Sequence, residues 1–390
     1  MIIACEPVCR GFVHATVNSA LLSVLAEAFP HEGLCFLAEE EHLALVTEGL
    51  PQENRSRVGF KQLALHSHKA SMAKRFAHEL GMVAGLFENA EKDAASFVIF
   101  TCISEVTLRA IKQQLKQFPT VRCVVVLHGI LASVMKRPSL FPWKNRHTFR
   151  TCFLQDNSRQ LTYLVPGESI EREVVSRFPS LQPYLISIDM PYRFAAEEEH
   201  TPFVNHTVSF GALGVLRKVK GSHEFFRLAR EVRKQESAYQ PRFVCVGPIV
   251  DKKLRRLLSD DVSMPSPDAP LPPELFARHV RQLDYAVFLH SSETYTFGVS
   301  GVLLDAFSYL KPIIALKNSC MSYYFQRLGN IGYLCEDYAE LKQVVLRLLE
   351  NPPYEEYRSQ LNQLRNGRET MTIAALATML RNKMEERMKC

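Results

Sequence analysis

Short, nearly unbroken apolar runs alternate along this chain with longer stretches whose apolar residues recur every three or four positions. In the first half the runs fall at 1–5, 34–37 (LCFL), 97–102 (FVIFTC), 122–127 (RCVVVL), 161–165 (LTYLV) and 184–188 (YLISI). They do not alternate apolar with polar, as a parallel strand covered on both faces need not, so each is predicted to be a buried strand. Helical periodicity between them predicts helices over 16–29, 69–88, 104–117 and 168–178. The second half repeats the rhythm, with strands predicted at 206–211, 242–247, 284–290, 312–316 and 331–335. Its predicted helices cover 221–237, 251–258, 272–281, 300–310, 338–350 and 354–364. Strand followed by helix, over and over, predicts a doubly wound α/β sheet in each half.

The stretch 190–205 (MPYRFAAEEEHTPFVN) has two prolines, an acidic run and no periodicity. It divides the chain into a first Rossmann-like domain at 1–192, a linker at 193–205 with Glu197, Glu198 and Glu199 solvated, and a second domain at 206–368. The amphipathic, basic segment 369–390 is predicted to be a closing helix that packs back on the first domain. Ser209-Phe210-Gly211 and Val246-Gly247-Pro248 are expected just past strand ends, at the carboxyl edge where open α/β sheets bind ligands.

Charge and composition narrow the partners. A formal net charge of +6, with 23% charged and 47% hydrophobic residues, describes an ordinary globular chain that favours anions. It is too mild to suggest nucleic acid. The ten cysteines contain no CxxC pair and no zinc-like spacing with histidine, so no metal is expected and the thiols are expected to be reduced. The first residues, MIIACEPVCRGF, lack a basic leader and are broken by Glu6 and Arg10, unlike a signal peptide. With no apolar run long enough to span a bilayer, a cytoplasmic setting is expected. The basic 136–150 segment, with Lys136, Arg137, Trp143, Lys144, Arg146 and Arg150, leaves peripheral membrane contact open. There is no P-loop, GxSxG, HExxH or kinase signature, and GALG at 211–214 is no dinucleotide fingerprint.

Candidate chemistry concentrates at predicted strand ends. In YTFGVSGVLLDAFSYLKPIIA (295–315), Gly298, Ser300 and Gly301 crowd the entrance of a buried helix. Small residues there let an anion reach amides that have no intrahelical partner; they equally suit a tight turn packed on a sheet. Asp305 lies one turn further along. Arg217, Lys218 and Lys220 form either a cationic anion-binding loop or a plain exposed basic one. His128 and Gly129 close the run VVVLHG. In the first loop, CEPVCRGFVHATVN, Gly11, His14 and Asn18 are candidate acceptor contacts, with Arg10 beside them.

The order GALGVLRKVKG, RFVCVG, LDYAVFLHSS, SGVLLDAFSYLKPIIA, GNIGYLCEDYAELKQVVLRLLENP resembles the nucleotide-sugar-binding half of family 4 retaining glycosyltransferases over most of the second half. The first half shares only the strand rhythm and the His-Gly at 128–129. The resemblance implies the GT-B architecture, two Rossmann-like domains facing each other across a cleft. It implies transfer from a UDP- or GDP-sugar to a glycan or lipid-linked hydroxyl acceptor with retention, in surface polysaccharide assembly, without metal or further cofactor. Carried over by position, Arg217 and Lys220 stabilise the departing diphosphate, and His128 lies near the transferred sugar. Gly214, Gly247, Gly298, Ser300, Gly301 and Val302 line the donor, and Asp305 holds the ribose. The family pairs this acid with one eight positions earlier, which here is Phe297; Glu293, four residues before that, is the donor-binding candidate to substitute for it through a loop shift. Tyr295 ahead of Ser300-Gly301 resembles a subtype in which a tyrosine precedes a Ser-Gly pair. A catalytically silent module on the same fold, binding a nucleotide or glycan or supporting a partner, is the other reading.

Overall fold

The computed structural model describes residues 1–67, 70–136, 139–141, 145–290 and 296–389. The chain forms two compact units, Met1–Tyr192 with Met371–Cys390, and Arg193–Thr370.

In the first unit the strands are β1 (Ile2–Cys5), β2 (Leu34–Ala38), β3 (Val58–Gln62), β4 (Phe97–Phe100), β5 (Cys123–Val126), β6 (Leu161–Pro166) and β7 (Leu185–Ile188). They pair in parallel in the order β3-β2-β1-β4-β5-β6-β7. Five of them, β1, β4, β5, β6 and β7, are buried at every position because helices cover both faces. The order reverses between β1 and β4, whose register sets Cys5 opposite Phe100. The loops that leave these two strands therefore emerge side by side. The helix Ala15–Ala28 follows β1 directly, and its faces carry Leu21, Leu22, Val24 and Leu25 into the core.

The closing helix, Ile373–Lys389, belongs to this unit and contributes Leu376, Ala377, Leu380 and Met384 to the same core. Burying one such leucine is worth about 1.5–3 kcal/mol. Arg381 fixes its register by donating from Nε to the Ala28 carbonyl at 2.7 Å, satisfying a helix-end carbonyl that has no intrahelical partner.

The second unit holds β8 (Thr207–Leu213), β9 (Gln240–Val246), β10 (Val262–Ser263), β11 (Tyr285–Phe288), β12 (Ile313–Leu316) and β13 (Gly332–Cys335), in the order β10-β9-β8-β11-β12-β13. Phe203, Phe210, Phe243, Tyr285 and Tyr357 form the aromatic centre of its core. Buried Asp284, just before β11, accepts from the Ser209 amide at 2.7 Å and the Phe203 amide at 3.2 Å, and pairs with His200 at 3.0 Å. This carboxylate ties the stretch ahead of β8 to the sheet.

Several expectations need correction. The acidic stretch is not simply solvated: Glu197 pairs with Arg365 and Glu198 with Arg281 at 2.8 Å. Ser209-Phe210-Gly211 lies inside β8 rather than past its end, and a Cβ on Gly211 would sit 2.1 Å from a Leu283 methyl. The segment predicted as a helix at 251–258 is a short 3₁₀ turn, Leu254–Leu257. Strands β3 and β10 and the helices Glu40–Gly49 and Ser319–Leu328 are additions to the sequence reading. Among the described residues no helix is long and apolar enough to cross a membrane.

Candidate functional site

The second sheet reverses its strand order between β8 and β11, and three loops converge at that carboxyl edge. After β8 the chain runs through Gly214 and Gly221 into the helix Ser222–Val232. Gly221 has φ 71°, and a Cβ there would lie 1.9 Å from the Leu289 carbonyl oxygen, so only glycine lets this turn press onto the end of β11. A Cβ on Gly214 would lie 2.4 Å from a Val302 methyl, and one on Gly247 would lie 2.2 Å from the Gly214 carbonyl oxygen. Gly214, Gly247 and Val302 are therefore stacked in contact. The basic loop and the 298–302 helix entrance are neighbours.

Lys218–Lys220 forms a 3₁₀ turn whose preceding residue, Arg217, donates its amide to Ser222 Oγ at 3.1 Å. Arg217 is exposed and Lys220 half-buried. Burial lowers the Lys220 pKa, the Arg217 charge lowers it further, and Asp305 opposes both. Arg217 and Asp305 are thus both within electrostatic reach of Lys220. Lys220, Ser222, His290 and Val302 also line one small cavity of about 20 Å³, enough for about one water.

The helix Gly301–Ser308 begins at Ser300, whose side chain makes no capping bond. Ser300 is buried at 3% exposure, and its hydroxyl has no hydrogen-bond partner among the described residues. A Cβ built on Gly298 or Gly301 meets no heavy atom within 4 Å. Packing against the described residues therefore does not require glycine at either position, whereas approach of a ligand to the amides would use that space. Phe297 is buried, an apolar ring where the resemblance would put an acid. Glu293 and Tyr295 lie outside the described residues.

The sequence reading missed His290, which follows β11 and faces this recess. Burial, aided by the Lys220 charge, lowers its pKa to about 3, so the ring is neutral. At the end of an apolar run it reads as core, and only strand order reveals its place.

Lys311, of the Lys-Pro strand entrance, does not join the site. It is 1% exposed and donates from Nζ to the Arg281 carbonyl at 2.8 Å, and burial lowers its pKa to about 7. An unfolded lysine titrates near 10.4, so between about pH 7 and 10 the unfolded chain binds the extra proton. Stability should therefore rise with pH across this window, by at most about 1.4 kcal/mol per pH unit from this group. In Lys311→Met that part of the slope should vanish; equal slopes for the two proteins in urea titrations at stepped pH would contradict it.

In the first unit, His128 follows β5, and its ring stacks on His14 at 3.9 Å with an 8° interplanar angle. Burial and the neighbouring His14 lower its pKa to about 3, which leaves a neutral ring able to donate at one nitrogen. Gly129 is exposed. Asn18 is not available to an acceptor: it is buried, its side-chain amide 3.1 Å from Glu6 Oε2 and 2.9 Å from His42 Nε2. Gly11 faces acids, with its amide 3.4 Å from Glu39 Oε2 and the Glu41 carboxylate 3.2 Å from where a Cβ would be, surroundings that disfavour a phosphate. Arg10 donates to the His66 carbonyl at 2.6 Å. Of the basic segment, Arg137, Trp143 and Lys144 lie outside the described residues, while Lys136, His147 and Arg150 line a cavity of about 510 Å³.

No protein-family model and no curated protein matches the chain. Solved structures match over its whole length. A lipopolysaccharide outer core galactosyltransferase, WaaB, is similar with a TM-score of 0.66 at 13% identity, covering 99% of this chain and 100% of its own. HepE of Anabaena, solved with UDP-glucose, gives 0.60 at 12% identity with 99% of each chain covered. A trehalose-6-phosphate protein of E. coli bound with UDP-2-fluoro glucose gives 0.64 at 9% identity, covering 100% of this chain and 99% of its own. The chain thus has the α/β two-domain GT-B fold.

Proposed function

We propose that this protein is a glycosyltransferase that takes its sugar from a UDP- or GDP-linked donor and passes it to a hydroxyl of a glycan or lipid-linked acceptor, with retention. The observation that carries the proposal is the contact of Gly214 with Val302, which joins a loop bearing Arg217 and Lys220 to the uncapped entrance of the helix Gly301–Ser308. That combination suits a diphosphate: amides at the positive end of a helix on one side, two cations on the other. Similarity to HepE, solved with UDP-glucose, supports the donor class. Surface polysaccharide assembly is the setting proposed from the resemblance and from the WaaB likeness.

In the proposed reaction the sugar's C1–O bond to the diphosphate breaks as the acceptor oxygen bonds C1 on the same face. A diphosphate oxygen takes the acceptor's proton. Arg217, Lys220 and the amides of 298–302 meet the growing negative charge, a type of stabilisation worth a few kcal/mol per donor in a dry site. Asp305 accepts from the ribose hydroxyls. His128, neutral, donates to a hydroxyl of the transferred sugar, with His14 and Gly11 toward the acceptor. No metal takes part in these steps. Phe297, in place of an acid, favours a second reading, a silent module that binds the nucleotide without turnover.

Thermal unfolding with UDP, GDP, ADP and their sugars separates the readings. At ligand 100-fold over Kd, binding stabilises the native state by about 2.7 kcal/mol, and the melting point should rise for a uridine or guanosine diphosphate. No shift across the panel would overturn donor binding. A shift without slow nucleotide release from any sugar donor would favour the silent module.

A further inference from the structure

The loops that leave β1 and β4 bring together three side chains that the proposed reaction does not use as a set. Cys9 Sγ lies 3.3 Å from His14 Nδ1, and one ligand atom from each of Cys9, His14 and Cys102 lies within 4.8 Å of the other two. Tetrahedral zinc with Zn–S near 2.3 Å and Zn–N near 2.0–2.1 Å places its donors about 3.6–3.8 Å apart. The Cys9–His14 pair is within a few tenths of an ångström of that spacing, and the cluster as a whole closes onto an ion with shifts of about 1 Å or less.

Its surroundings are also arranged for a cation. Glu6, fully buried beneath the loop, accepts from the Val8 and Cys9 amides with one oxygen and from Asn18 and Thr101 with the other. Both oxygens are committed, so Glu6 serves as an orienting counter-charge and not as a ligand. His14 holds φ 60°, a left-handed conformation uncommon for histidine, and its side chain makes no cap for the helix it precedes. The loop accepts this strain while the ring points its Nδ1 at the sulfur. Cys9 and Cys102 are each 6% exposed, and His14 is half-exposed, leaving a route for an ion.

We propose that Cys9, His14 and Cys102 form a binding site for a soft divalent cation, zinc above all, with a fourth position open to water. The sequence expectation of no zinc-like arrangement read spacing along the chain; here the third ligand arrives from a neighbouring strand. Ligation by His14 replaces its proposed acceptor contact, and its ring still stacks on His128; the donor steps of the glycosyltransferase reading do not depend on this site. Binding displaces the thiol protons of Cys9 and Cys102, so affinity rises with pH.

The test is titration of the reduced, full-length protein with Zn²⁺ against a chromophoric chelator, with Co²⁺ as a spectroscopic probe. One Zn²⁺ per chain is expected, and Co²⁺ should give a thiolate-to-metal band of the intensity of two sulfur ligands. Cys9→Ser and Cys102→Ser should each weaken zinc by more than about 100-fold, beyond what loss of an outer partner costs, while Cys152→Ser leaves it unchanged. Absence of the thiolate band in the native protein, which needs no variant to fold, would overturn the site. So would a Cys9→Ser protein with native circular dichroism that still binds zinc as tightly.

Discussion

Lys220→Ala should lower the rate of sugar transfer, and of slow donor hydrolysis without acceptor, by about 10²–10³-fold, the usual cost of removing one donor from a preorganised anion site. The effect should fall on kcat more than on KM, because the diphosphate gains charge only as the glycosidic bond breaks. Stability should not fall in parallel. Burial and Arg217 both work against the Lys220 cation in the folded protein, so its removal leaves no orphaned acceptor and the melting point should hold or rise. The pH dependence gives a second check. Lys220 acts as a cation and its pKa lies below that of an ordinary lysine, so activity should be full at low pH on this limb and be lost as pH rises through the lowered value. Lys220→Arg, which stays charged, should shift that loss to higher pH even if its rate is lower. Activity of Lys220→Ala within about threefold of the parent would remove Lys220 from the chemistry and with it the proposed anion site.

The fold was legible because fully buried parallel strands read as unbroken apolar runs. FVIF at Phe97–Phe100 and CVVV at Cys123–Val126 are buried at every position. The elements that escaped lack that signal. Strand β3 sits at the sheet edge and exposes Gly59, Lys61 and Gln62, so VGFKQ looks like loop. The helix Glu40–Gly49 buries only His42 and Val46, too few positions to make a periodic stripe. For the site, glycine and charge did most of the signalling: Gly214, Gly221 and Lys220 stand out in GVLRKVKG, and Gly298 and Gly301 in the helix entrance. His290 and the Cys9–His14–Cys102 cluster did not, because their meaning lies in which strands are neighbours. Only the pairing of β1 with β4 puts Cys102 beside a loop from the other end of the first unit's sequence. Lys311, ahead of β12, satisfies a helix-end carbonyl in the core, a role that its place in a Lys-Pro pair does not show.

Glu6→Ala should destabilise the first unit by about 3–5 kcal/mol, the scale expected when one partner of a buried, fully bonded charge is removed. The sequence gives no hint of this, since Glu6 reads there as a polar interruption of an apolar start. In the fold its carboxylate is 0% exposed and accepts four bonds: the Val8 amide at 3.0 Å, the Cys9 amide at 2.9 Å, Asn18 Nδ2 at 3.1 Å and Thr101 Oγ1 at 2.8 Å. Alanine leaves these donors without an acceptor in a site closed to water, and it leaves a cavity as well. Glu6→Gln keeps the shape and one acceptor oxygen but turns an NH₂ group toward two donors, so a loss of about 1–3 kcal/mol is expected. Far-ultraviolet circular dichroism during urea unfolding follows the loss of structure. The midpoint should fall with the slope unchanged, since the surface exposed on unfolding is the same. Because Glu6 fixes the Cys9 amide, Glu6→Gln should also loosen zinc while Cys9 and Cys102 remain, by about 10–100-fold as for other outer-shell partners. A Glu6→Ala protein within about 1 kcal/mol of the parent would mean that water or a shifted loop supplies the missing acceptors, and that the β1 loop is not held as rigidly as four bonds to one carboxylate imply.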